Sequence, residues 1–530
     1  MKKVFSLLIV CAVAVSAMAI PARRGGMVRT AADGTEKTVY LHGNAFSHYM
    51  TDAEGNWLDE KTLEPLTPEQ KAARVQKNEA RSKMRRVQQE KMVGTTPNLA
   101  PRGLMIMVNF TDKKFQTPYD TIDNMLNGEN FTRKYTVDYY YQGQRVRGTY
   151  TSSGSARKYF QDVSYGQYNP IFDVVGPYEL KHDYAYYGSD DDANVGEMIK
   201  EACLLADSAG ANFKLYDNDN DGKVDFVYVL YAWEGEADGG DENTVWPHNW
   251  DLSYTGESCT VDGKKVRNYA CSNEWQHYGQ VYNGIGTFCH EFSHVMGLPD
   301  LYYTSNSGTS PHTLNDWDIL DYGPYNNDGN TPPAYSAYER FYCGWLTPRV
   351  LKEPELVSLP DLNNNTGKAY LICEGDNHNL VGYNPNPTTF YLLENRQKVG
   401  WDKYLPGQGL LITKIQYSAD RWASNTVNNS SRNMGVDIIE ATPNTTTGRS
   451  QTAKATDAYP AGGTSWTDYT NHEVTDVTLS SRVITLRYRY GTQDVENVED
   501  GKAAHKILKD GKVVIIRNGR TYDITGKIIE

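Results

Sequence analysis

The 530-residue chain predicts a multidomain α+β protein, and three features of the sequence carry that expectation. From Leu104 onward, apolar runs of strand length alternate with segments of helical period. After Pro348 the helical period disappears, and β-branched and aromatic runs take over, with Pro406-Gly407 and Gly462-Gly463 as punctuation. Between these regions lies a segment of helical period that stops at a glycine and doubles back to an aspartate. The composition and pattern shifts divide the chain into residues 1–19, 20–98, 99–350, 351–490 and 491–530.

Residues 1–19 open with Met1-Lys2-Lys3, run through a mostly apolar stretch from Val4 to Val15 and close on Ala17-Met18-Ala19, the layout of a signal peptide cut after Ala19. In 20–98, Thr38-Val39-Tyr40-Leu41-His42 reads as a strand and Asp52-Ala53-Glu54-Gly55-Asn56 as a turn. Thr67-Pro68-Glu69-Gln70 then supplies an N-cap, a proline at the first helical position and a capping-box glutamine. The helix predicted over 71–91 holds eight basic and two acidic residues and no broad apolar stripe, so it is expected to be solvated or to bridge domains. Gly94-Thr95-Thr96-Pro97-Asn98 reads as a linker.

The next part opens on Leu104-Met105-Ile106-Met107-Val108-Asn109-Phe110, a buried strand. A helix over about 155–163, a strand over 172–175, a helix over 195–209 and a strand over 224–233 follow. Before the last of these, Asp217-Asn218-Asp219-Asn220-Asp221-Gly222-Lys223-Val224-Asp225 has the DxDxDG spacing of a calcium loop, so Asp217, Asp219, Asp221 and Asp225 are candidate Ca2+ ligands. Its twelfth position is Tyr228 rather than the bidentate glutamate of a full EF-hand. In 351–490, strands are predicted at 390–394, 410–417, 436–440 and 483–490, as a β-sandwich packed on the preceding domain. Glu394-Asn395-Arg396-Gln397 is expected as a buried polar cluster at the interface. The tail offers two short strands joined by an Asn518-Gly519 turn.

The chemistry concentrates in His290-Glu291-Phe292-Ser293-His294-Val295-Met296-Gly297-Leu298-Pro299-Asp300, an HExxHxxGxxD motif. Residues four apart share a helix face, so His290 and His294 can present two imidazoles to one zinc ion. Glu291 falls beside that ion, placed to take a proton from water. Gly297 tolerates positive φ, which lets the helix stop and brings Asp300 back as a third ligand. Phe288, Phe292 and Val295 form the apolar face that an ordinary core helix would also need, but that bland reading leaves two buried histidines and a glutamate unexplained.

With this motif, the chain resembles the M6 metallopeptidases, the immune inhibitor A group. The resemblance extends to Ala156-Arg157-Lys158-Tyr159-Phe160, Ser164-Tyr165-Gly166-Gln167-Tyr168, Val245-Trp246-Pro247-His248, Trp317-Asp318-Ile319-Leu320-Asp321-Tyr322-Gly323 and Tyr391-Leu392-Leu393-Glu394-Asn395-Arg396-Gln397. It implies a metzincin-like zinc protease domain over 99–350 acting on protein or peptide substrates. Residues 20–98 read as a pro-segment, because exported proteases are commonly kept inactive until outside and the basic run offers sites for trypsin-like cutting; a permanent accessory domain is the alternative. Leu320 stands where the metzincin methionine turn is expected, a swap of similar volume. Tyr322 has the spacing of the astacin-type tyrosine that supports an oxyanion, and is a candidate catalytic residue beside Glu291. The tail resembles type IX sorting tails of Bacteroidetes, which implies secretion machinery as a partner. The rival reading is a surface binding or adhesion protein on a protease scaffold without turnover, although its ligands and glutamate are intact.

A net charge of −13 argues against a nucleic-acid partner, because phosphate binding needs a basic surface. After the leader no apolar run reaches transmembrane length. Cys203, Cys259, Cys271, Cys289, Cys343 and Cys373 follow the leader, an even count that permits disulfides in an exported chain. Cys289 adjoins His290, but neighbours on a helix point about 100° apart, so it is expected to be buried rather than a ligand.

Overall fold

The computed structural model describes residues 18–84, 100–489 and 505–529, apart from residues 32, 142–143, 277–280, 306–308, 365, 376–377, 449–450, 469–471, 510–511, 518–519 and 524–526. The leader expected over 1–19 therefore lies almost wholly outside the described residues, as do the linker at 94–98 and the Asn518-Gly519 turn.

The N-terminal unit is an antiparallel four-stranded sheet of Met27–Thr30, Glu36–Asn44, Ser47–Thr51 and Trp57–Leu58 in chain order. Gly43 has φ 97°, and a Cβ there would lie 1.9 Å from the Ser47 carbonyl, so the tight hairpin requires glycine. The helix Pro68–Met84 starts with the expected reciprocal cap: Thr67 N donates to Gln70 Oε1 at 2.9 Å, and Gln70 N to Thr67 Oγ1 at 3.3 Å. The core of this unit is not its own. Ala19, Ile20, Val39, Leu41 and Met50 pack with Ala237 and Trp246 of the next region.

The central sheet runs in the order His248–Asp251, Asn268–Gln276, Val227–Glu234, Arg102–Asn109, Ile171–Glu179, and Val281–Tyr282 pairs with the end of the second strand. The last four strands of this order are mutually parallel, and His248–Asp251 is an antiparallel edge. Side chains alternate faces with period two. Leu104, Ile106 and Val108 join the helix Val195–Ser208 in one core, whereas Met105 and Met107 face the helices Tyr119–Asn127, Ala156–Val163 and Gly286–Val295 in the other. Burial on both faces is why Leu104–Val108 and Val227–Ala232 read as unbroken apolar runs.

Two further sheets lie beyond residue 348. One has the order Arg349–Val350, Tyr370–Ile372, Thr389–Arg396, Gly409–Gln416, Val436–Ile438; the other Glu355–Pro360, Val483–Tyr488, Glu473–Ser480, Trp466–Thr467. The first is buried on both sides. Phe390, Leu392, Leu411 and Ile415 enter the core of the motif helix, and Tyr391, Leu393, Leu410 and Ile412 share a core with Val357, Ile484 and Leu486 of the second sheet. At the seam, Arg396 is buried between Asp402 (2.6 Å), Glu394 (3.2 Å) and the Ala334 carbonyl (3.0 Å). Glu394 also accepts from Ala337 N at the start of the helix Ala337–Tyr342. The tail forms three antiparallel strands, His505–Lys509, Lys512–Arg517 and Arg520–Tyr522, one more than the sequence pattern suggested.

Among the described residues all six cysteines are free thiols, so the disulfides that their even number permits are not formed. Cys203 and Cys259 hydrogen-bond each other, and Cys289 is buried in the core. No helix among the described residues is long and apolar enough to cross a membrane.

Candidate metal centre and cleft

Phe288 and Phe292 fix the motif helix Gly286–Val295 to the sheet, packing edge-on against Phe172 at 4.9 and 5.1 Å between ring centroids. That orientation turns His290 and His294 to the opposite side. Each histidine donates from Nδ1 to a backbone carbonyl, His290 to Ile319 (2.7 Å) and His294 to Leu298 (2.8 Å). With Nδ1 protonated, the Nε2 atoms of neutral imidazoles carry lone pairs. They lie 3.2 Å apart, and Asp300 Oδ1 lies 3.2 Å from one and 3.3 Å from the other. Gly297, at φ 83°, makes the reversal that brings Asp300 back.

Two lone pairs and a carboxylate oxygen in mutual contact repel unless a cation lies among them. All three residues are fully buried, and among the described residues Asp300 Oδ1 and Glu291 Oε2 have no hydrogen-bond partner. The donor set, two imidazoles and one carboxylate with no further protein donor on Asp300 Oδ1, fits a divalent metal ion with room for solvent or substrate. Glu291 Oε2 is 4.0 Å from His294 Nε2, beside this group. Burial raises its carboxyl to about 8.

Residues 90–345 match the sequence profile of the immune inhibitor A peptidase M6 catalytic domain. This stretch belongs to the M6 peptidase family. Among curated proteins the chain is similar to "Pre-pro-metalloprotease PrtV" of Vibrio cholerae serotype O1, 26% identical over 240 residues covering 39% of this chain and 26% of the relative. It is also similar to "Immune inhibitor A" of Bacillus thuringiensis subsp. alesti, 21% identical over 214 residues covering 35% of this chain and 31% of the relative. The match thus spans about a quarter to a third of these relatives' lengths.

The M6 domain does not build its centre alone. Asp300 N donates to Asn425 Oδ1 (2.8 Å) and Asn425 Nδ2 to Asp300 Oδ2 (2.6 Å), so a loop between two strands of the C-terminal region, Gly409–Gln416 and Val436–Ile438, aims Asp300. No motif pointed to Asn425. Nor did one point to residues 18–24, which run through the cleft. Met18 and Asn249 exchange backbone hydrogen bonds at 3.1 and 2.8 Å, adding one residue pair to the sheet edge. Ile20 N donates to Glu291 Oε1 at 2.9 Å, and Tyr302 Oη donates to the Ala19 carbonyl. Trp246 Nε1 donates to Ile20 O (3.0 Å) and Tyr325 Oη to Pro21 O (2.7 Å). Arg23 pairs with Asp328, donates to Gln276 Oε1 at 3.1 Å and lies 3.9 Å from Asp238.

The remaining sequence candidates, Tyr322, Leu320 and the acidic loop, and two further histidines are placed as follows. Tyr322 is in the cleft, its ring under Arg24 with the guanidinium carbon 3.4 Å from the centroid. Leu320 is buried in the core that holds the motif helix, and its carbonyl accepts from Leu301 N at 2.8 Å. His48 faces Glu236 (3.3 Å) and Asp191 (3.6 Å), not the metal group. His248 is a packing residue, bonded to the Trp246 carbonyl (2.7 Å) and Tyr269 Oη (2.9 Å). Asp217, Asp219 and Asp221 converge in the acidic loop, whereas Asp225 turns to Asn218 N at 2.6 Å. Lys264 Nζ sits 2.5 Å from Asp217 Oδ2, a positive charge already inside that loop.

Proposed function

We propose that the chain is an exported zinc-dependent endopeptidase whose N-terminal segment, residues 20–98, acts as a pro-segment. The observation that carries this reading is the arrangement of His290, His294, Asp300 and Glu291, across which residues 20–24 of the chain's own N-terminal segment are held, with Ile20 N against Glu291 and Arg24 against Asn315. The segment's hydrogen bonds at Ile20 and Pro21 run through backbone atoms, and the Ile20 side chain is buried beside Ala237 and Trp246. The resemblance to relatives named as metalloproteases points the same way.

His290, His294 and Asp300 would hold the zinc, which when bound supplies Lewis-acid polarisation of the substrate carbonyl. Glu291 accepts the proton of the attacking water and returns it to the departing amine. The sheets of residues 351–490 serve as a β-sandwich that supports the centre from behind, through Asn425. The hold on residues 20–24, by hydrogen bonds and by the buried Ile20 side chain, keeps the cleft shut until the segment leaves.

The test is cleavage of casein or gelatin by the purified protein, with metal analysis. Glu291→Gln should keep one metal per chain and lose activity by about three orders of magnitude or more, and a chelator should abolish activity in the wild type. A Glu291→Gln protein that still cleaves would end the proposal.

A further inference from the structure

Arg23 of the N-terminal segment enters a pocket made by the M6 domain. Its Nη2 pairs with Asp328, its Nη1 donates to Gln276 Oε1 at 3.1 Å, and Asp238 Oδ1 lies 3.9 Å from that second nitrogen. The guanidinium carbon is 5.7 Å from the centre of the Tyr325 ring. The three acceptors come from separate places: the short 3-10 helix Glu236–Asp238, the end of the strand Asn268–Gln276 and the loop after Gly323–Tyr325. Each is held by its own domain. Asp238 Oδ2 accepts from Asn273 Nδ2 at 3.0 Å and Asn283 Nδ2 at 2.8 Å, and Gln276 Nε2 donates to the Asp328 carbonyl at 2.8 Å. None of these bonds involves residues 20–98, so the acceptors stay aimed when that segment is gone. Arg23 does not exhaust them either. Asp238 is 2% exposed, and among the described residues its Oδ1 has no hydrogen-bond partner. Among the described residues Arg23 is also the one cation paired with either carboxylate. Its departure leaves two buried like charges together, which draws a cation back. The pocket adjoins the metal group. Gly329, next to Asp328, accepts at its carbonyl from Gly286 N (2.8 Å), and Gly286 begins the motif helix about one turn before His290.

We propose that Asp328, Asp238 and Gln276 form a subsite for a basic side chain of the substrate, arginine above all, and that Arg23 fills it in the latent protein. This deepens the endopeptidase reading above and rests on it. Arginine is favoured over lysine because the acceptors surround one planar group. A guanidinium meets them with several donors in fixed directions, whereas an ammonium meets them as a point charge. A neutral side chain leaves both carboxylates buried without a counter-ion, and an acidic one adds a third negative charge.

Two measurements test this. The first uses the full chain with its cleft still covered and asks whether the pocket takes a free guanidinium. The Arg23 side chain is 20% exposed, so Arg23→Ala opens the pocket to solvent. Methylguanidinium at about 20 mM should then raise the Tm of Arg23→Ala by about 2 °C or more. Methylurea, of the same shape without the charge, should not, and Asp328→Asn added to Arg23→Ala should abolish the rise. The second uses the enzyme as cells release it, freed of its N-terminal segment, with casein cleavage as the sign that its cleft is open. A peptide library should be cut with arginine enriched at one fixed position within about four residues of the broken bond. Citrulline there keeps the length of arginine and loses its charge without any change to the protein, and should lower kcat/KM about thirtyfold or more. In Asp328→Asn the arginine-over-citrulline ratio should fall below about threefold. A Tm that methylguanidinium raises no more than methylurea does, or a casein-cleaving enzyme without a basic preference, overturns the subsite and leaves the endopeptidase reading standing. A freed protein that cleaves no casein ends that reading, and the subsite with it.

Discussion

Replacing Asn425 by alanine tests how far the metal centre depends on residues outside the M6 domain. The amide of Asn425 makes two hydrogen bonds to Asp300, one at 2.8 Å to its backbone N–H and one at 2.6 Å to Oδ2. Both lie in a fully buried site, and their loss leaves a donor and a carboxylate oxygen without partners, at about 1–3 kcal/mol each. Asp300 then has no fixed orientation toward His290 and His294. Loss of a group that orients a metal ligand typically costs about 10–100-fold in affinity, or about 1.4–2.7 kcal/mol. Zinc affinity measured by competition with a chromophoric chelator should fall by that factor in Asn425→Ala. Asn425→Asp keeps the acceptor for Asp300 N and removes the donor to Oδ2, so it isolates the second bond. An affinity within about threefold of wild type, alongside a lowered Tm, would mean that the 296–300 turn places Asp300 unaided.

Other outcomes follow from the same coordinates. Arg23→Ala leaves Asp238 and Asp328 buried without their cation, which costs about 3–5 kcal/mol and should speed amide hydrogen exchange across residues 20–24 by about two orders of magnitude or more. Unchanged exchange would show that the backbone contacts alone hold the segment. Asp437, opposite Lys414 in the C-terminal sheet, has a carboxyl raised to about 6 by burial, against the pull of Lys414. A raised acid binds more protons folded than unfolded, so it favours folding below about pH 4, and that contribution is lost as pH rises to about 6. Asp437→Asn should therefore be the more stable protein above pH 6, by up to about 3 kcal/mol, and should show a flatter loss of stability between pH 4 and 6 in denaturant titrations.

The fold was legible wherever burial was apolar on both faces. The strands at Leu104 and Val227 and the helices at Ala156 and Val195 are close to where periodicity put them. The strand Asn268–Gln276 escaped notice although every residue from Tyr269 onward is buried. Its second half, Ser272-Asn273-Glu274-Trp275-Gln276, is polar because it serves the cleft: Asn273 binds Asp238 (3.0 Å) and Gln276 binds the Asp328 carbonyl (2.8 Å). The histidines, Glu291 and Asp300 were legible because helix geometry links them within eleven residues. Asn425 was not, since its tie to Asp300 spans 125 positions and an asparagine in a loop carries no pattern. The threading of residues 18–21 was equally invisible. Their hydrogen bonds run through backbone atoms, which leave no mark on side-chain spacing, and the stretch Ala17-Met18-Ala19 reads only as a cut site.

The profile match ends at residue 345, but the folding unit does not. Phe390, Leu392, Leu411, Ile415, Val436 and Ile438, on the first C-terminal sheet, are at most 6% exposed and belong to the same core as Phe288 and Phe292 of the motif helix. Fully burying a side chain of this size is worth roughly 1.5–3 kcal/mol, so six of them amount to roughly 9–18 kcal/mol, comparable with the whole stability of a typical domain. A chain stopped at residue 350 loses that contribution, exposes the partner face of the motif helix's core and loses Asn425 as well. It is expected to be insoluble or molten and to bind no zinc above background, read by gel filtration and metal analysis. A truncated chain that is monomeric, cooperatively folded and loaded with one zinc would show that the C-terminal sheets are an accessory, and that the shared core counts for less than its burial implies.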